Sequence, residues 1–209
     1  MRVFIVCAMF AMFGSVFAGE TSLPEPKKTG GKPVLQAIAE RASAPGNDFP
    51  AGEISDEAIA TILWAASGKG RDDSHWTVPM ASSKPPYCGV YYVTAEGVYR
   101  YNWEKHALTE VKAGDARAVI ASQAFGKTAP GIILITDDVN ADAASPNRPL
   151  QRKFAHILSG VMHQNIQLAG EAVGVGSRVI NSIDRDIAAE WLGLENADEV
   201  IFAIYLGGK

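Results

Sequence analysis

Four histidines, two cysteines and two pairs of adjacent aspartates are the residues that could do chemistry here. Their spacing argues against most of it. His156 and His163 lie seven residues apart, on one face of a helix but two turns or ~10 Å from each other, too far to share one metal ion. His75 stands in a long polar loop and is a candidate acid or base by residue type alone. Cys7 falls in an apolar leader, so Cys88 is the sole cysteine after it. It has no partner for an internal disulfide and cannot build a cysteine zinc site. Asp72-Asp73 and Asp137-Asp138 read as solvated loop residues. The chain contains no P-loop, no GxGxxG after a strand, no HExxH and no GxSxG. A side-chain nucleophile or a resident metal is therefore not what the pattern suggests.

The elements that must position any site are dominated by one stretch. Arg148 to Ser177 reads as a helix of roughly 25 residues, ended by Gly174 and Gly176. Advancing 100° per residue, Leu150, Phe154, Ile157, Leu158, Val161, Met162, Ile166, Leu168 and Ala172 fill an apolar arc wider than a surface helix needs. Such a helix is expected to pack against more than one neighbour, a second subunit included. Asn165 sits inside the arc, where its amide must find partners.

The 209 residues are 47% apolar and 20% charged, as suits one soluble domain with a real core. Residues 1–18, with Arg2, the apolar Val3 to Phe13 and Val16-Phe17-Ala18, have the form of a secretory signal peptide, too short to span a membrane. The expectation is an exported, periplasmic or secreted protein. The formal charge is −4, and loss of Arg2 with the leader makes it −5, which does not favour nucleic acid or an anionic membrane as partner.

Residues 19–33 are rich in Pro, Gly and Lys and read as a flexible lead-in to a domain over 34–209. Val34 to Arg41 has helical spacing. Ser55 caps a helix from Asp56 to Ala66 that Gly68 stops. Lys69 to Pro86 is a long loop. Val90 to Thr94 and Val98 to Tyr101 read as a hairpin, Ala116 to Ala124 as a helix capped by Asp115, and Gly131 to Thr136 as a strand buried on both faces. Asp184 opens a helix to Leu192, and Val200 to Leu206 is a final strand. Strands alternating with helices argue a mixed α/β or α+β domain.

An ordered set of pieces adds a further expectation: Arg41-Ala-Ser43, Leu63-Trp64-Ala65-Ala66-Ser67-Gly68, Thr77-Val-Pro79-Met80-Ala81-Ser82-Ser83, Gly97-Val-Tyr99-Arg100-Tyr101, Gln164-Asn165, Gly174-Val-Gly176-Ser177 and Leu206-Gly207-Gly208. Over about Val34 to Lys209 this set resembles the nitroreductase family of flavin enzymes. It is closest to the branch with the dehydrogenases of thiazole- and oxazole-peptide maturation and their free-standing exported relatives. The resemblance implies an α+β fold with a central, mostly antiparallel sheet flanked by helices and a long core helix at a homodimer interface. It implies FMN as cofactor, hydride transfer through flavin N5 in a ping-pong cycle, and a small-molecule electron donor and acceptor.

By position, Arg41 and Ser43 match the family's phosphate motif. Pro79, Met80, Ala81 and Ser83 match the segment beside the flavin ring. Ile180, Asn181 and Ser182 match the segment whose backbone amides face the ring nitrogens. Lys209 and Arg178 are candidate further phosphate partners, and no catalytic side chain is assigned. The chain departs from the pattern at Pro45, where a further arginine is usual, and at Met80, Ser83 and Pro85, where polar residues are usual. A non-catalytic flavin- or ligand-binding module is the alternative the departures leave open.

Overall fold

The computed structural model describes residues 19–70, 74–80, 84–138 and 148–209. The leader over 1–18 lies outside the described residues, as do Asp72-Asp73, Ala81 and Ser83.

Seven strands form one sheet in the order β1-β4-β3-β2-β5-β7-β6, every neighbouring pair antiparallel. They are β1 (Glu20–Ser22), β2 (Cys88–Val93), β3 (Gly97–Asn102), β4 (Ala107–Ala113), β5 (Gly131–Asp137), β6 (Val175–Ile180) and β7 (Val200–Gly208). The helices are α1 (Val34–Glu40), α2 (Asp56–Ser67), α3 (Arg117–Ile120), α4 (Arg148–Val173) and α5 (Arg185–Leu192). This is the α+β architecture expected from the sequence.

β5 is the central strand of the core. Its alternate side chains feed two clusters. Ile133 and Ile135 join Ile62, Leu63, Leu158, Met162 and Ile166 from α2 and α4 on one face. Ile132 and Leu134 join Ile120, Leu192 and Tyr205 on the other. A strand covered on both sides reads as a continuous apolar run, which is what Gly131 to Thr136 is.

Local chemistry sets the helix limits. Ser55 accepts from the Ala58 amide and Asp184 from the Ile187 amide, both as N-caps. Gly193, at φ +68°, turns the chain out of α5 in the left-handed conformation that glycine tolerates. Gly68 ends α2 differently, in extended backbone. A Cβ there would lie 2.4 Å from the Trp64 ring, so close approach rather than φ requires the glycine.

Two expectations need correction, and α1, a helix as expected, is turned outward. The helix read over Ala116 to Ala124 is only Arg117–Ile120, because Ala121 leaves it to bridge Ile183 and a 3-10 turn follows over Ala124–Thr128. The apolar residues of α1 do not face the core: Leu35 is 78% exposed, Val34 and Ile38 are exposed with it, and only Ala37 is buried. The lead-in is tied down along its length. Glu20 to Ser22 pair with β4, the Lys27 amide donates to Thr61 Oγ1 at 2.9 Å, and Lys32 Nζ donates to Glu40 and Glu171, each at 2.5 Å. The segment is a strap across the α2–α4 face.

Candidate functional site

Arg41 is the residue at which the chain leaves α1. Its amide still donates to Ala37 O at 2.9 Å, while its ψ of 132° sends the following backbone outward. From there Nη1 of its guanidinium donates to Oε1 of Gln167 on α4, at 3.0 Å. Two residues on, the chain runs beside β6. Ser43 forms a parallel bridge with Ser177, and the Ala44 amide donates to Ser177 O at 2.9 Å.

Gln167 belongs to a polar stripe, His163, Gln167 and Glu171, at helical spacing of four on α4. Glu171 is buried and accepts from two ammonium groups, Lys32 of the strap and the terminal Lys209. Burial pushes its carboxyl up, but these two hydrogen bonds prevail and hold it below the ordinary carboxylate range. His163 has its ring against Phe202, and its Nε2 is buried with no hydrogen-bond partner. Burial, then the nearby charge of Arg41, holds the imidazole below its ordinary pKa and so neutral. Three cations from distant parts of the chain thus meet one helix face. Sequence reasoning missed Gln167, Glu171 and Lys32. The four-residue spacing of the stripe was the available signal.

β6 links this end to the other. Lys209 lies at its start, its amide donating to Gly174 O at 3.0 Å. Ser43 is level with Ser177, and Ile180 closes the strand, about 17 Å from Val175 at strand rise. Beyond it the side chain of Asn181 accepts from Arg185 Nη2 at 2.5 Å, and Ser182 O accepts from Ser122 Oγ. The structure thus sets Arg41, Ser43 and Lys209 around the first half of β6 and Ile180, Asn181 and Ser182 at its far end.

Arg178 does not join the Arg41 group. Strand alternation turns it to the opposite face. There it is the cross-strand partner of Tyr205, lies 5.8 Å from the Phe125 ring and donates from Nη1 to Ala44 O at 2.8 Å. Pro79 is exposed, whereas Met80 packs against the α2–α4 cluster. Asn165 fixes the approach to this loop, donating from Nδ2 to Ala65 O and Thr77 O, both at 3.0 Å. Gly207 and Gly208 serve packing. A Cβ at Gly207 would lie 1.8 Å from Pro50 O and one at Gly208 2.3 Å from Glu53 O.

A cavity of about 980 Å³ opens where α1, α2 and α4 meet the strap, lined by Lys28, Lys32, Trp64, Thr77, Asn165 and Ala172 among others. None of the eight described candidate cofactor residues lines it; Lys32 connects it to the Glu171 network. Among the described residues no cluster of ligating side chains suits a metal ion. The exposed histidines are elsewhere: His156 Nδ1 lies 2.8 Å from Arg152 O within α4, and His75 Nδ1 2.6 Å from Ser74 Oγ. The donor set at the start of β6 fits a phosphate ester. The guanidinium of Arg41 and the ammonium groups of Lys32 and Lys209 reach the Gln167–Glu171 end of the α4 face there.

No curated protein matches the chain in sequence. Solved structures do match it. A candidate nitroreductase from Ralstonia eutropha is 26% identical over 90% of this chain and 89% of that one, with a TM-score of 0.78. A candidate nitroreductase from Desulfovibrio desulfuricans, solved in complex with FMN, is 23% identical over 85% and 86%, with a TM-score of 0.54. The E. coli microcin synthetase McbBCD complex is similar over 76% of this chain and 65% of the matched one, at 15% identity and a TM-score of 0.63. The model of the Nitroreductase family matches residues 38–208. Arg41, Ser43, α4, β6 and every strand but β1 lie within that match, and the chain belongs to the Nitroreductase family.

Proposed function

We propose that this chain is an exported FMN-dependent oxidoreductase that works as a homodimer on small molecules. The observation that carries the reading is the meeting of Arg41, Lys32 and Lys209 on the His163–Gln167–Glu171 stripe, level with the start of β6. Arg41 and Lys209 would hold the phosphate, with Ser43 beside them. The backbone after Ile180 would face the ring, and Asn165 would keep the Thr77 to Met80 segment in place against α4. Bound FMN would supply reversible two-electron chemistry at N5, alternating between a small-molecule donor and an acceptor in a ping-pong cycle.

The second subunit is supported by apolar surface. Leu35 on α1 is 78% exposed and Leu150 and Ile157 on α4 are 66% and 53% exposed, with Val34 and Ile38 beside Leu35. A single chain leaves this surface in water, and a symmetric partner would cover it. Export rests on the form of residues 1–18. No helix among the described residues is long and apolar enough to cross a membrane.

One observation favours the alternative, a non-catalytic flavin- or ligand-binding module. Glu171 already engages Lys32 and Lys209, and Pro45 is exposed where the family carries an arginine. Absorbance of the purified mature protein separates the two readings when followed by reduction and reoxidation. Flavin bands that bleach and recover with turnover of an added acceptor support the enzyme. Bands without turnover support the module.

A further inference from the structure

A second cavity, of about 320 Å³, lies between β2 and β3 under the first turn of α4. Its origin is in the register. β2 and β3 pair at Tyr91↔Arg100, Tyr92↔Tyr99 and Val93↔Val98, and the pairing stops there although both strands continue. Cys88 to Val90 on one side and Tyr101 to Trp103 on the other diverge around the space. Among the described residues it shares none of its lining with the large cavity, and none of the described candidate cofactor residues lines it. Its volume is at the lower end of small-molecule sites.

The cavity holds one unused polar atom. Gln151, 9% exposed on the first turn of α4, lines it, and its Oε1 is buried with no hydrogen-bond partner. Buried carbonyl oxygens without a donor are rare in folded proteins. Arg100, Asp138, Tyr101 and Cys88 in the lining are already engaged, and Lys84 is an exposed part of it. Arg100 pairs with Asp138 at 2.5 Å, the Tyr101 hydroxyl lies 2.8 Å from His106 Nδ1, and the Cys88 thiol donates to Ala155 O at 3.2 Å. Trp103 and Tyr101 supply flat aromatic walls. What is missing is one donor on a planar, uncharged body, since Asp138 already has its cation and a further charge would be buried unpaired.

We propose that this cavity is a binding site for a small, planar, uncharged heteroaromatic molecule with a ring N–H, which donates to Gln151 Oε1 while its faces lie against Trp103 and Tyr101. Two probes that differ by one atom test it. Indole carries the N–H, and benzofuran has the same shape with oxygen in its place. Titration calorimetry of the mature protein should give indole binding about five- to tenfold tighter than benzofuran, the discrimination expected of a single hydrogen bond to a buried acceptor. In Gln151→Leu, with its fold checked by circular dichroism, the two ligands should bind alike. In Trp103→Ala both should weaken together. Equal binding of the two probes to the unaltered protein, or binding of neither, would overturn the proposal, whether or not the Gln151 variant folds.

Discussion

The guanidinium of Arg41 reaches from the end of α1 to α4 and donates to the side-chain oxygen of Gln167 at 3.0 Å, with Gln167 itself buried. This contact presents a fixed cation beside β6. Arg41→Ala should lower affinity for FMN by about 10- to 150-fold, the range for loss of a charge-assisted pair of ~1.5–3 kcal/mol. Riboflavin affinity should fall much less, because riboflavin has no phosphate. Equal losses for the two flavins, measured by fluorescence titration, would assign Arg41 to structure alone.

The exposed apolar residues of α1 and α4 lead to a second expectation. Ile157→Asp sets a charge in the middle of the surface assigned to the partner, and Leu35→Asp does the same on α1. Light scattering should show a dimer for the unaltered protein at micromolar concentration and a shift toward monomer in each variant. A monomeric unaltered protein with flavin bound would contradict the account.

Glu171 gives an acid-side prediction. Burial alone would raise its folded pKa, but the hydrogen bonds from Lys209 and Lys32 together outweigh it and hold the carboxyl below the ordinary carboxylate range. The unfolded chain therefore binds the proton more readily. The stabilisation is complete above the unfolded value and is lost as pH falls through the folded one. Thermal melts from about pH 6 down to about pH 3.5 should show the advantage of the unaltered protein over Glu171→Gln shrinking with acid. A difference independent of pH over that range would show that the network is not ionic.

Cys88 should be inert. Burial, and then the charges of Asp137 and Asp138, push its thiol far above the ordinary range, and its proton is given to Ala155 O. Only the thiolate is a good nucleophile. Iodoacetamide at mildly alkaline pH should label the protein in guanidinium and leave the folded protein unlabelled. Stoichiometric labelling of the folded form would contradict this.

The parts of the fold legible in the sequence were those whose signal is local. α4 has the length and period of a helix, β5 is an unbroken apolar run, and α5 is bounded by Asp184 and Gly193. β6 was not legible as a strand. Gly176 and Arg178 break its pattern, and it is extended because β7 pairs with it from Val175 to Ile180. The strap was hidden for the same reason: Pro, Gly and Lys look mobile, and what holds them is a hydroxyl on α2 and a carboxylate 139 residues away. Of the proposed site, Arg41, Ser43 and Lys209 could be named by position. Their counter-groups Gln167 and Glu171 could not, since helical spacing alone does not say which cation will reach them. Arg178 was misplaced by one property of strands, that neighbouring side chains point to opposite faces.

In the proposed function the first half of β6 holds the phosphate of FMN. Flavin content and uptake of the purified protein over residues 19–209 test this. The account predicts yellow protein with less than one FMN per chain, rising to a single FMN per chain on addition, with FMN bound more tightly than riboflavin. Colourless protein that takes up neither flavin, or binds both with equal affinity, would contradict it.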